Sequence, residues 1–315
     1  MIKDFGFEVV FETARIWLEV GNYSSEGEFC INTVTGPDEY TALVDNNYYT
    51  NSMAKFHLEW AVKLSNMLES KYHREFKKLQ AKLGISQGEI QQMAQAAEKM
   101  RLPFDEKIGI HMQDDGFMQK AEWDFKSVPK ENYLLLLHYH PMHIYRHKVL
   151  KQADTILSYV LLDNTEESIM SSAYDYYKQR TTHDSSLSPC VHSMMASRIG
   201  RAKEAYDFFM STICLDLDDI NKNTKDGLHI ANAGGAYMAM VYGFAGLRIT
   251  EAGLRLRPIK PGVWDGYSFR INYRGQIIKV HVTDCIEIVC EKQFDVFVYD
   301  KRYTIDKKLK IDIEK

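Results

Sequence analysis

Thr35-Gly36-Pro37-Asp38-Glu39-Tyr40, followed after four residues by Asp45-Asn46-Asn47-Tyr48-Tyr49-Thr50-Asn51, is the stretch around which the rest of the chain is read. Gly36-Pro37 interrupts regular structure, so Asp38 and Glu39 fall on a loop and not on a helix flank. A loop carboxylate held by a rigid turn is a candidate acid. The amides and aromatic rings just downstream suit a sugar: paired hydrogen-bonding groups for neighbouring hydroxyls, and ring faces for the apolar side of a pyranose. The same residues also fit a plain turn, with Asn51 or Ser52 capping the apolar-periodic run that begins near Met53.

Three further segments extend the pattern: Lys151-Gln152-Ala153-Asp154, then Thr182-His183-Asp184-Ser185-Ser186-Leu187-Ser188, then Gly227-Leu228-His229 with Gly234-Gly235. Taken in order, the four resemble the motifs of the α-glucosidic disaccharide phosphorylases, the maltose, kojibiose and trehalose phosphorylase group of glycoside hydrolase family 65. The resemblance covers nearly the whole chain, yet the family's proteins are much longer. An amino-terminal β-sandwich, its linker and the first half of a helical barrel have no counterpart here. The resemblance implies a mainly α fold, part of an (α/α)6 barrel over residues 1–253, followed by a small antiparallel β domain over 254–315.

It also implies roles. Glu39 is the general acid; Tyr40, Asn46, Asn47, Lys151 and Gln152 contact substrate; Ser185, Ser186 and His229 hold phosphate. The reaction implied is inverting phosphorolysis of an α-glucosidic disaccharide to β-glucose 1-phosphate and a free sugar. Its acid needs a raised pKa to carry a proton near neutral pH. Inorganic phosphate is the co-substrate, and neither a cofactor nor a metal is expected. A hydrolase on the same scaffold would need a second carboxylate roughly 6.5–9.5 Å from the acid, and Asp184 is the acidic residue of the seryl loop. A truncated chain that binds sugar without catalysis is the other alternative.

Composition narrows the class. A chain of 315 residues with 45% hydrophobic content can bury a large core in one or two domains. A net charge of −4 with interspersed signs gives no basic footprint for nucleic acid or an anionic membrane. The amino terminus lacks a signal-peptide pattern, and the apolar segment from Ala236 to Leu247 is too short to span a bilayer. Cys30, Cys190, Cys214, Cys285 and Cys290 are odd in number without a Cys-x-x-Cys pair, which reads as reduced thiols in a cytoplasmic protein.

Along the chain, Phe5 to Leu18 has helical spacing and ends at Gly21-Asn22. A long helix is expected from Met53 to Leu68, with a charged extension from Glu69 to Leu83 emerging into solvent, and another after a Ser86 cap. Gln113, Asp114 and Asp115 stand in an excursion, either as substrate contacts or as a turn. His143 and His147 are four apart, but Pro141 splits their cluster and packing explains them better than a metal. Lys151 and Gln152 are expected on a helix running on through Ile156 and Leu161. Ser185 and Ser186 are expected at a helix amino terminus, either an anion site or a plain cap. Asp216, Asp218 and Asp219 read as a solvated patch whose spacing does not match a calcium loop. Beyond Gly253 the periodicity turns to alternation, with a hairpin at Arg274-Gly275. Part of a barrel leaves apolar inner faces to be covered. A homo-oligomer, or a partner supplying the amino-terminal half, is therefore expected.

Overall fold

The computed structural model describes residues 2–313. Helices dominate the chain as far as Phe244, and strands dominate from Arg248 onward. The chain divides between Thr182 and His183 into two compact units.

In the first unit, helix α1 (Phe7–Val20) lays Phe7, Phe11 and Ala14 against α2 (Tyr48–Lys71), which answers with Ala54, Leu58, Ala61 and Leu68 at helical spacing. Burying each of the two phenylalanines stabilises the unit by about 1.5–3 kcal/mol. α1 ends at Gly21, where the backbone turns extended (φ −89°, ψ 161°), and the Phe29 ring occupies the place of a side chain: a Cβ there would lie 2.2 Å from the ring edge. Gly21 also begins a short ladder, β1 (Gly21–Tyr23) with β2 (Phe29–Ile31). The cap of α2 is neither Asn51 nor Ser52 but Asn47, whose side chain accepts from the Thr50 amide.

The charged extension does not run out into solvent. The helix breaks at Tyr72, and α3 (His73–Leu83) turns Phe76 and Leu79 back into the core while Lys77, Lys78 and Lys82 face outward. Gly84, at φ 65°, closes α3 in the left-handed region. Ser86 then caps α4 (Gln87–Glu98) by accepting from the Glu89 amide, and Glu89 pairs with Arg15 of α1 at 2.6 Å.

From there to Lys148 the chain forms short pieces: β3 (Phe104–Asp105) with β4 (Ile110–His111), β5 (Ala121–Glu122) with β6 (His147–Lys148), and the single turn α5 (Pro141–Ile144). His147 packs edgewise and His143 at a tilt on Trp123, and His143 also stacks on Tyr139. No group of three metal-ligating side chains occurs among the described residues. α6 (Thr155–Leu162) and α7 (Glu167–Lys178) complete the unit.

In the second unit, α8 (Ser188–Arg198) is buried almost all round, from Cys190 to Ser197. It packs on α9 (Ala202–Leu217) and on α10 (Ile230–Met238) with its π-helical continuation Ala239–Phe244. Gly235 allows that approach, since a Cβ there would lie 2.7 Å from Cys190 Sγ. Two four-stranded sheets follow. One joins β9 (Tyr267–Tyr273), β10 (Gln276–Val282), β11 (Cys285–Val289) and β14 (Lys308–Asp312), all antiparallel. The other joins β7 (Arg248–Thr250), β8 (Gly253–Leu256), β12 (Phe294–Val298) and β13 (Lys301–Ile305), with β8 and β12 parallel. The β9–β10 hairpin closes at Arg274-Gly275, both at positive φ as a tight hairpin turn requires. Ile278, Val280 and Val282 alternate inward beside Ile286 and Ile288. No helix among the described residues is long and apolar enough to cross a membrane.

Candidate active site

In the first unit the Gly36–Tyr40 loop rests on buried polar groups. Asp38 is 0% exposed, and its carboxylate accepts from the Tyr40 amide at 3.1 Å, the Lys151 amide at 2.7 Å and Gln113 Nε2 at 3.0 Å. Beneath the loop lies Asp154, also buried, which accepts from the Asp38 amide at 3.3 Å and from Asn47 Nδ2 at 3.1 Å. Burial pushes both carboxyls up, Asp38 to about 6 and Asp154 to about 8, the latter helped by the nearby charge of Asp38. Gly36 must lack a side chain here. A Cβ at this position would lie 2.5 Å from both Asn47 Nδ2 and Asp154 Oδ2.

Glu39 is set apart from these. Its side chain is 56% exposed and meets Lys151 Nζ at 2.7 Å. The two adjacent carboxylates therefore divide the work of the loop. Asp38 has no access to a substrate, and its carboxylate fixes the Tyr40 amide just after Glu39 and the Lys151 amide across from it. Of the two, Glu39 presents its oxygens outward, while the raised pKa belongs to the buried support.

The other residues named from sequence fall in two groups. Lys151 and Gln152 are not on a helix: α6 begins at Thr155, because Asp154, at φ −122° and ψ −87°, breaks helical geometry. They lie on the preceding loop, where Lys151 reaches Glu39 and Gln152 Nε2 donates to the Pro37 carbonyl. Tyr40, Asn46 and Asn47 are buried, and their polar groups have internal partners. Tyr40 Oη accepts from the Leu135 amide at 2.8 Å. Asn46 bonds Ile31, Asn51 and Asp115, and Asn47 bonds Thr50, Gln113 and Asp154. These three build the floor of the loop; a sugar would meet their amides only by displacing those bonds. Of the excursion residues, Gln113 holds Asp38, buried Asp114 caps the Gly116 amide, and Asp115 pairs with Arg101. Asp154 and Gln113 are supports that the motif alone did not assign.

In the second unit Ser185 and Ser186 stand in the turn before α8 and not in its first turn, since Leu187 is the capping position. Ser185 already serves that turn: its carbonyl accepts from the Ser188 amide and its Oγ from the Leu187 amide. His183, at φ 60°, shares a 2.8 Å hydrogen bond with Ser188 Oγ and packs edgewise on His192. Burial, with His192 beside it, holds the His183 ring well below the ordinary histidine range. His229 precedes α10, and Asp216 of α9 grips it twice, at the ring Nδ1 (2.6 Å) and at the backbone amide (2.8 Å). Asp216 is thus no solvated patch residue.

Residues 1–238 match the glycosyl hydrolase family 65 central catalytic domain, and residues 247–305 match that family's C-terminal domain. The chain belongs to glycosyl hydrolase family 65. Its relatives include an alpha,alpha-trehalose phosphorylase of Geobacillus stearothermophilus, 49% identical over 99% of this chain and 41% of the relative. A maltose phosphorylase of Bacillus subtilis is 30% identical over 95% of this chain and 39% of the relative. A solved human-microbiome protein named for kojibiose phosphorylase superposes with a TM-score of 0.90 at 32% identity, covering 99% of this chain and 46% of its own. This family 65 chain therefore spans about two fifths of the length of the curated relatives it matches.

Proposed function

We propose that this chain takes part in inverting phosphorolysis of an α-glucosidic disaccharide, with α,α-trehalose the first substrate to test because the 49% identical relative is named for it. The observation that carries the reading is Glu39: an outward carboxylate on a loop whose backbone is fixed from below by Asp38. Glu39 protonates the glycosidic oxygen as the aglycone departs. Phosphate on Ser185, Ser186 and His229 attacks the anomeric carbon from the opposite face, giving β-glucose 1-phosphate and a free sugar. The nucleophile brings its own negative charge, so no protein base is required, and inorganic phosphate is the only addition. Lys151 and Gln152, on the loop beside Pro37 and Glu39, contact the glucosyl unit.

A second reading rests on coverage. The chain spans 41% of its trehalose phosphorylase relative, and in this reading a further segment supplies walls of the sugar site. A partner carrying that amino-terminal part, or a second copy of this chain, completes the site in that case. The test is phosphate-dependent consumption of trehalose, maltose, kojibiose and nigerose by the chain, with Glu39→Gln alongside. Activity that needs phosphate and falls about 10²–10⁴-fold in Glu39→Gln supports phosphorolysis. Equal sugar release without phosphate sinks it. Activity that appears only on adding an amino-terminal family 65 segment supports completion by a partner.

A further inference from the structure

We infer that Asp216 is a positioning residue of the phosphate site: it locks the His229 imidazole with the proton on Nδ1, so that Nε2 is the edge that meets phosphate. The inference rests on the reading of His229 as a phosphate contact, and its geometry lies wholly within the second unit.

Asp216 is an odd residue where it stands. It lies in the last turn of α9 (Ala202–Leu217), a turn without a basic residue, where a carboxylate faces the negative end of the helix dipole. Its two oxygens are both engaged by one residue thirteen positions on. Oδ2 accepts from the His229 backbone amide at 2.8 Å, and Oδ1 meets the ring Nδ1 at 2.6 Å. An ionised carboxylate only accepts, so the ring nitrogen at that distance must donate, and the tautomer follows. The backbone bond sets where the residue begins and the ring bond sets how the ring is turned, which leaves the imidazole one orientation. The intervening segment is pinned as well: Asp219, at φ 46°, accepts from the Thr224 amide at 3.0 Å. Hydrogen bonding from His229 holds Asp216 below the usual carboxylate range, consistent with a carboxylate kept ionised for this contact.

With Nδ1–H committed to Asp216, Nε2 offers phosphate a lone pair or, after taking one proton from solvent, an N–H. A phosphate dianion is met by the second form. The ring then donates to Asp216 at one nitrogen and to phosphate at the other, and the carboxylate balances the imidazolium.

The test uses the whole chain labelled with ¹⁵N-histidine and long-range ¹H–¹⁵N correlation at pH 7, with His229 assigned by its loss in His229→Gln. The expected wild-type ring carries a proton on Nδ1 with and without inorganic phosphate, and adding phosphate shifts the Nε2 resonance. Asp216→Asn, nearly isosteric, moves the proton toward Nε2 and weakens phosphate binding about tenfold, while trehalose binding is unchanged. A wild-type ring with its proton on Nε2 overturns the inference without any variant, so a poorly folding Asp216→Asn does not shelter it. So does an Asp216→Asn protein with wild-type phosphate affinity. A wild-type ring locked on Nδ1 in a chain that binds no phosphate instead sinks the phosphate reading and leaves the lock standing.

Discussion

The acid loop of the first unit and the histidine of the second are held by opposite designs. The loop around Glu39 sits on a buried polar layer in which Asp38, Asp154, Asn47 and Gln113 bond one another and the backbone. His229 is held at a half-buried position by one carboxylate, Asp216. A buried network fixes a backbone to within a hydrogen bond's tolerance, but it fails as a unit when one member is removed. A half-buried clasp fails locally, because water can take over what it lets go. Removing a support should therefore cost stability in the first unit, and chiefly the state of one ring in the second.

The largest expected effect is at Asp38. Asp38→Ala leaves the Tyr40 and Lys151 amides and Gln113 Nε2 without their acceptor in a site closed to water, a loss of about 3 kcal/mol or more. Asp38→Asn should recover most of it. Its oxygen replaces the acceptor for the two amides, and its new NH2 group can donate to Gln113 once that side chain turns over, because Gln113 Oε1 is buried with no hydrogen-bond partner among the described residues. Urea unfolding of the three proteins checks this, and equal midpoints for the Ala and Asn variants would break the network account.

Next is the pH dependence that the buried pair imposes. Asp154 and Asp38 both have native pKa values above the 3.8 of an ordinary aspartate, at about 8 and about 6. Above pH 3.8 the unfolded chain releases these protons while the folded chain keeps them. The native state therefore binds more protons over this window, and stability falls as pH rises. The contribution is complete below about pH 4, erodes through pH 6 for Asp38, and is gone once pH passes about 8 for Asp154. Asp154→Asn mimics the protonated acid, so its stability should decline less steeply between pH 5 and about 8. Parallel curves for the two proteins would show that Asp154 is ionised in the folded chain throughout.

How much of this was legible beforehand varied with distance along the chain. The acid loop was readable because Gly36-Pro37 punctuates it and its motif is contiguous. Its supports were not: Asp154 lies 116 residues from the Asp38 amide it accepts from, and Gln113 lies 75 residues from Asp38. Local pattern also extended the α6 helix back over Lys151 and Gln152, since Val149, Leu150 and Ile156 keep apolar spacing across a backbone that is not helical. β13 and β14 escaped notice because they are charged and largely exposed, with Lys and Arg on strands at the outer edges of their sheets. Asp216 stood in an acidic cluster that composition reads as solvated, and its fixed partner is visible only once α9 and α10 are placed.

The smallest effects come from the glycines, and they carry the same contrast. Both Gly36 and Gly234 belong to the motifs that mark the family resemblance, so sequence treats them alike. At Gly36 an added methyl meets Asn47 and Asp154 at 2.5 Å, and these two are bonded to each other and cannot both withdraw. Gly36→Ala should therefore cost about 1–3 kcal/mol and reduce activity through the displaced Glu39. At Gly234, inside α10, the same methyl meets nothing within 4 Å. There the lost backbone entropy of glycine is the remaining term, and Gly234→Ala should be neutral or stabilising by up to about 1 kcal/mol. Thermal unfolding of the pair decides it. A destabilised Gly234→Ala would mean that the exposed face of α10 is covered by something the chain alone does not contain, and that the second unit is supported from outside much as the first is supported from within.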